Sequence, residues 1–310
     1  MILFKNLPDL MRLDEQACRK HLEKILWGDT PICPHCKNVG AYTLKDGKTY
    51  KCNSNKCYKP FTVTKGTVFE HSPIKLNTWF AAIYLCTIHK KGISSRQLAV
   101  DLGVTQKTAW FMLHRIRHTF MQKNPFLLTT SVQIDETFVG GKNKNRHHDK
   151  KVQYGQGRSY KDKTPVLGML QKGGALVTRV VQNTHTMTLM PLVRRFIKPG
   201  STIYSDEWKA YNQLYKYYNH EKVFHASGQY INGEATTNAV ENAWSHLKRS
   251  IIGIYHFVSR KHLQKYVDEF TYRLNVRKVS VQEQFYYVLL KSPGRLTYKD
   301  LISSHSFDHG

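Results

Sequence analysis

The chain has 310 residues, with 47 Lys and Arg against 22 Asp and Glu, a formal net charge of +25. Its 41% hydrophobic content, including 18 Tyr and 14 Phe, argues against disorder, and no stretch approaches the roughly 20 apolar residues of a membrane span. The length suits roughly two domains of about 150 residues each, and basic residues spread along the whole chain point to a nucleic acid as partner rather than to a single basic tail.

The start, Met1 to Pro8, lacks a basic region followed by a sustained apolar run, so an intracellular protein is expected. Four of the six cysteines then fall in one segment: Cys33 and Cys36 flank Pro34-His35, and after fifteen residues Cys52 and Cys57 follow. Two knuckles separated by a hairpin-like stretch around Asp46-Gly47 are the layout of a zinc ribbon. A closed four-sulfur shell leaves no open coordination position, so this zinc is structural; His35 is a possible substitute for one cysteine. Cys18 and Cys86 stand alone in apolar or helical patterns and read as buried thiols.

Residues 77 to 120 have helical spacing, with Trp79, Phe80, Ile83, Tyr84, Thr87 and Ile88 on one stripe. The run from Ser94 to Trp110 then has the form of a helix-turn-helix with Gly103 at the turn. Ser94 or Ser95 caps its first helix and Thr105 its second. That places Gln106, Lys107 and Thr108 at the N-terminal turn of a recognition helix, with Arg115 and Arg117 further along it. The alternative is a plain helical connector with Leu98, Leu102 and Val104 as core.

From about residue 130 the period changes. Strands are expected at Val132 to Asp135, Pro165 to Leu170 and Ala175 to Val181, the last two joined by the turn Lys172-Gly173-Gly174. A helix from Thr186 to Lys198, a strand from Thr202 to Asp206, a helix from Trp208 to Tyr218, a strand at Lys222 to Ala226 and a helix from near Asn238 complete the order βββαβαβα. That order is the one found in ribonuclease H-like folds. The chain is therefore expected to be multidomain α+β, with a zinc ribbon and helix-turn-helix ahead of an α/β domain built on a mixed sheet. Between the first two strands lies a Gly- and Lys-rich insertion, residues 140–163, in which Lys142, Lys144 and Arg146 can grip phosphates without sequence preference. A solvated insertion is the equal alternative.

Three carboxylates carry the chemistry. Asp135 and Asp206 each end an apolar run, and Glu241 opens a helix. Acids so placed can share hard divalent cations such as Mg²⁺ or Mn²⁺, which take oxygen ligands and keep room for phosphate oxygens and a nucleophile. Bland readings stand beside this one. Asp206 suits the cap of the helix at Trp208, and Asn238 with Glu241 suits a capping box. Asp135 is harder to dismiss, because an unpaired carboxylate by a buried sheet is costly unless something neutralises it. Lys248 lies seven residues, almost two turns, after Glu241 and faces the same side of its helix, which is also common on ordinary amphipathic helices.

The motifs Cys33-Pro-His-Cys36, Ile134 to Gly141, Tyr204-Ser-Asp206, Thr237 to Arg249 and Gly253-Ile-Tyr-His256 together resemble insertion-sequence transposases of the IS1595 family, the ISXO2-like group, over nearly the whole length. The resemblance implies that Asp135, Asp206 and Glu241 are catalytic acids of a DDE transposase, with Lys248 the associated basic residue. It implies metal-dependent cutting at element ends and transfer of the freed 3′-hydroxyl into target DNA. It also implies binding to terminal inverted repeats, a homodimer or larger assembly on DNA, no membrane association, and a cytoplasmic, nucleoid-associated location in a bacterium. Thr236 stands where relatives often have His, and Asn242 and Asn238 remain alternatives to Glu241 as third ligand. The expected division is 1–29 (helical), 30–70 (zinc ribbon), 71–125 (helix-turn-helix), 126–278 (catalytic) and 279–310 (helix and tail). A domesticated or inactive transposase, acting as a sequence-specific DNA-binding protein, is the competing reading.

Overall fold

The computed structural model describes residues 4–121, 127–141, 147–151, 163–223 and 236–302. The chain divides into two compact units, residues 1–121 with 278–310, and residues 122–277.

In the first unit, helices α1 (Leu7–Met11) and α2 (Glu15–Trp27) precede a small antiparallel sheet of β1 (Ala41–Thr43), β2 (Tyr50–Cys52) and β3 (Pro60–Phe61). Cys33, Cys52 and Phe61 form its core, with Trp27 and Tyr50 packed edge to face beside them. Helix α3 (Leu76–Ile88) is apolar on nearly every side and buried accordingly. α4 (Ser95–Leu102) and α5 (Gln106–Phe120) follow, joined by a short turn. The Ser94 Oγ accepts from the Gln97 amide at the start of α4, and the Thr105 Oγ1 accepts from the Thr108 amide at the start of α5. Gly103 ends α4 at φ 63°, a left-handed conformation that a side chain would strain.

The second unit is built on a five-stranded mixed sheet. Its strands are β4 (Ser131–Val139), β5 (Thr164–Gln171), β6 (Leu176–Val180), β7 (Thr202–Ser205) and β8 (Asn219–Lys222), in the order β6-β5-β4-β7-β8. β4, β5 and β6 run antiparallel, whereas β7 pairs parallel to β4 and β8 parallel to β7. The side-chain period of two sorts β4 between two cores. Val132 and Ile134 pack with α6 (Thr186–Phe196), through Leu189, Val193 and Phe196. On the opposite face, Val139 packs with α7 (Asn238–Ser250) and α8 (Leu263–Asn275), through Val240, Trp244, Leu247 and Val267.

Two expectations for this unit are corrected. The segment from Trp208 to Tyr218 is two single 3₁₀ turns, Lys209–Tyr211 and Leu214–Lys216, rather than a helix. Ala210, Tyr211, Leu214 and Tyr218 are buried at helix-like intervals, and that spacing gave the helical signal. The chain breaks between the turns at Asn212, whose side chain accepts from the Lys222 ammonium. The last strand begins earlier than expected, at Asn219 in place of Lys222, and residues 224–226 of the expected span lie outside the described residues.

The chain then returns to the first unit with α9 (Val281–Leu290) and α10 (Tyr298–Ile302). Residues 279–302 thus belong with the first unit, and residues 303–310 lie outside the described residues. Phe285, Val288 and Leu289 give α9 an apolar face, and Phe285 meets Phe80 of α3 and Phe4 at ring separations of 5.4 and 4.9 Å. No helix among the described residues is long and apolar enough to cross a membrane.

Candidate active site and metal centre

The pairing of β4 with β7 brings two of the three acids together. Gln133 pairs with Tyr204, so the same register continued by two residues sets Asp135 beside Asp206, just past the end of β7. Asp206 turns the chain there, its Oδ1 accepting from the Trp208 amide at 3.1 Å. Ser205, one residue before, bonds to His220 Nε2 at 2.8 Å and fixes the end of the strand.

The third acid is delivered by α7, which two side chains on one face of β4 hold against the sheet. Gln133 Oε1 accepts from both the Ala239 and Val240 amides at 3.1 Å, satisfying two of the free donors at the helix start. Two residues along the strand, Asp135 Oδ2 accepts from the Trp244 indole at 3.0 Å. Opposite Asp135 on β5 stands Gly168. A Cβ there would lie 2.3 and 2.5 Å from Trp244 Cζ2 and Cη2, so the indole occupies a notch that only glycine provides. Glu241 lies one turn before Trp244, and its Oε1 accepts from the Thr237 hydroxyl at 2.7 Å. The expected capping box from Asn238 is absent, since Thr237 is the cap residue. Glu241, Asn238, Asn242 and Lys248 are all exposed on α7.

The electrostatics single out Asp135. Burial pushes its carboxyl up to about 6, and the charges of Asp206 and, less strongly, Glu241 push the same way against the hydrogen bonds from the Glu136 amide and Trp244. A carboxylate destabilised by two others is a site that a cation relieves, and an all-carboxylate donor set suits a hard divalent ion. Glu136, its neighbour in sequence, points to the opposite face and accepts from the buried Tyr211 hydroxyl. The alternation of the strand therefore separates a site carboxylate from a structural one.

In the first unit, Cys33, Cys36, Cys52 and Cys57 have their sulfurs all within 4.8 Å of one another. The Cys33–Cys57 and Cys36–Cys52 sulfur separations are 3.9 and 3.6 Å. A zinc ion bonded to four thiolates at about 2.3 Å spreads them about 3.8 Å apart, close to the two separations above, so the cluster fits structural Zn²⁺. His35 is not part of it. Cys18 and Cys86 are buried, as expected.

The residues expected to meet DNA fare differently. Gln106 and Lys107 are exposed and Thr108 half-buried at the start of α5, with Gln106 Nε2 donating to Ser95 Oγ at 2.8 Å. Arg115 is corrected: it is buried, and its guanidinium donates to the Val68 and Glu70 carbonyls at 2.8 and 3.1 Å. It lies one α5 turn beyond the buried Met112, where an extended cation reaches carbonyls of the loop ahead of α3 and not solvent. Arg117 is buried as well. Lys142, Lys144 and Arg146 lie outside the described residues. Sequence reasoning missed Gln133, Gly168 and Trp244 as site-building residues. The one signal available was a Gln two residues before Asp135, on the same face of a strand otherwise apolar.

Comparison with known proteins identifies a family for the chain. The family described as the ISXO2-like transposase domain matches residues 127–275, and the transposase zinc-ribbon domain of the same group matches residues 13–59. A Halobacterium salinarum protein, "Uncharacterized protein in transposable element ISH50", is 28% identical over 278 residues, covering 85% of this chain and 92% of its own. A Haemophilus influenzae "Uncharacterized transposase-like protein" is 30% identical over 111 residues, 34% of this chain and 85% of its own. Among solved structures, "Crystal structure of the Mos1 Strand Transfer Complex" aligns over 70% of this chain and 79% of that one at 15% identity. Its TM-score of 0.26 is too low to bear on the fold.

Proposed function

Because the chain belongs to the IS1595, ISXO2-like transposases, we propose that it is a DDE transposase, cutting DNA at the ends of its element and joining the freed 3′-hydroxyl to target DNA. The observation that carries this reading is Asp135, set beside Asp206 by the register of β4 and β7, with a carboxyl raised by burial and then by the charges of Asp206 and Glu241. The strand order β6-β5-β4-β7-β8, with three antiparallel strands followed by two parallel ones, supports a ribonuclease H-like catalytic domain.

Asp135, Asp206 and Glu241 would hold the divalent cations, Mg²⁺ or Mn²⁺, which when bound supply Lewis-acid polarisation of the phosphoryl oxygens and a more acidic nucleophile. Gln133 and Trp244 hold the helix that carries Glu241 against β4, the strand that carries Asp135. Lys248, seven residues or about 10 Å along α7 from Glu241, meets a phosphate of the strand being cut and holds it in line. Gln106, Lys107 and Thr108 lie at the N-terminus of α5, a helix-turn-helix recognition helix that reads the terminal repeats. The zinc ribbon is a second DNA-binding module, and basic residues 142, 144 and 146 add phosphate contacts. Two ends must be held for joining, so the working form is a dimer or larger assembly on DNA.

The test is incubation of the purified protein with Mg²⁺, a labelled duplex carrying the element's terminal repeat, and plasmid target. Nicked and joined products are expected, and both are lost in Asp135→Asn while end binding persists. Tight binding with no cleavage would move the protein to the domesticated class.

A further inference from the structure

At the end of α7 the helix does not stop but widens into a π-helical turn, Ile251–Tyr255. Such turns are rare and cluster at functional sites. The chain leaves it through His256, a non-glycine residue at φ 58° and ψ −48°, whose Nδ1 lies 3.0 Å from the Ile252 carbonyl oxygen. The turn is anchored on both sides. Ile251 is buried and Val258 packs against the same core, while the Tyr255 ring meets Tyr266 of α8 edge to face at 4.7 Å. Between the anchors, Ile252 is 70% exposed and Phe257 75% exposed.

One exposed apolar side chain needs no explanation. Here two stand on one strained, anchored turn. The exposed cations Lys248, Arg249 and Arg260 flank them. Apolar faces bordered by phosphates are the surface that DNA offers when a base leaves the stack. We infer that the turn from Ile251 to Phe257 is a DNA-distorting wedge, with Phe257 stacking on an unstacked base of the strand that runs to the three acids.

The spacing fits. Ile251 lies ten residues beyond Glu241, about 15 Å along the helix, or roughly four base steps at about 3.4 Å each. Aromatic or aliphatic side chains placed beside a strand held by cations partially unstack and kink a duplex. Asp135 is half-buried, so a phosphate must be drawn toward the sheet to reach it, and opening the duplex nearby permits that. The inference rests on the transposase reading of the same unit.

The test uses the full chain and an end duplex with 2-aminopurine three to five nucleotides from the cleaved phosphate. Wild type should raise its fluorescence on binding. Phe257→Ala should abolish that rise and slow Mg²⁺-dependent cleavage about tenfold, with end binding changed less than about threefold. Phe257→Trp should keep cleavage, and a duplex mismatched at those positions should restore cleavage by Phe257→Ala. Unchanged fluorescence on binding by wild type, or equal cleavage of paired duplex by wild type and Phe257→Ala, overturns the wedge alone. Absence of cleavage by wild type on every duplex overturns the transposase reading as well. Light scattering without DNA supplies the last arm: if Phe257→Ala dissociates an assembly that wild type forms, the turn belongs to an interface between copies and the wedge is wrong.

Discussion

Replacing Gly168 by Ala adds one methyl group to the back of the site and touches no acid. That methyl would sit 2.3 and 2.5 Å from two indole carbons of Trp244, against an ordinary contact of at least 3.4 Å. Gly168 is fixed in mid-strand by pairing with both Asp135 and Thr178, so the indole has to retreat by roughly 1 Å. Overpacking of this kind costs about 1–3 kcal/mol, and the stretched bond from Trp244 to the Asp135 carboxylate costs about 1.5–3 kcal/mol more if it is lost. A loss of about 4 kcal/mol by urea denaturation is expected. Because Glu241 rides on the same helix one turn earlier, cleavage by the folded fraction should fall about 100-fold, the usual cost of displacing a reacting group by an ångström. A double-mutant cycle makes the argument specific: in a Trp244→Leu background the overlapping ring is gone, and Gly168→Ala should become nearly silent. An equal cost in both backgrounds, or wild-type cleavage by Gly168→Ala, would refute the notch.

Three further outcomes are expected. Asp268 is buried and accepts from Gln264 at 2.8 Å, and burial raises its carboxyl to about 6. A value above that of the unfolded chain means that its contribution to stability is full below about pH 4 and is lost as pH rises through about 6. Asp268→Asn should therefore stabilise the protein at pH 7 by up to about 3 kcal/mol and leave pH 4 nearly unchanged, as measured by urea titration at the two pH values. Arg115→Ala should cost about 2–4 kcal/mol of stability, because two buried carbonyls lose their donor. By contrast, Lys107→Ala should leave stability alone and reduce the salt slope of DNA binding by about 1; the reverse pattern would restore Arg115 to the DNA surface. Chelation, or Cys33→Ser, should release one zinc per chain and weaken end binding as the β1–β3 sheet melts, while unchanged zinc content and unchanged binding would contradict it.

The elements with a local signal were legible in the sequence. Val132 and Ile134 marked the first part of β4, which runs on to Val139, and the stripe of Val240, Trp244, Leu247 and Ile251 gave α7, because both patterns repeat within a few residues. Features made by distant partners were not legible. Nothing near Gln133 says that a helix begins against it more than a hundred residues later, and nothing near Gly168 says that an indole fills the place of its side chain. Arg115 failed for a related reason: a basic side chain reads as exposed until the carbonyls of Val68 and Glu70 are seen beside it. Trp208 to Tyr218 had helical spacing without a helix, since burial at those intervals is also met by two short turns.

The return of α9 to pack on α3 has a consequence for synthesis. The unit that begins the chain cannot close its own core until Phe285 has left the ribosome, so the module carrying the cysteine cluster starts first and finishes last. The middle of the chain, from 122 to 277, has all of its strands and helices by then and can fold while its predecessor waits. A premature stop that removes only the last thirty residues would therefore damage the front of the molecule, leaving a folded centre attached to an unfinished beginning.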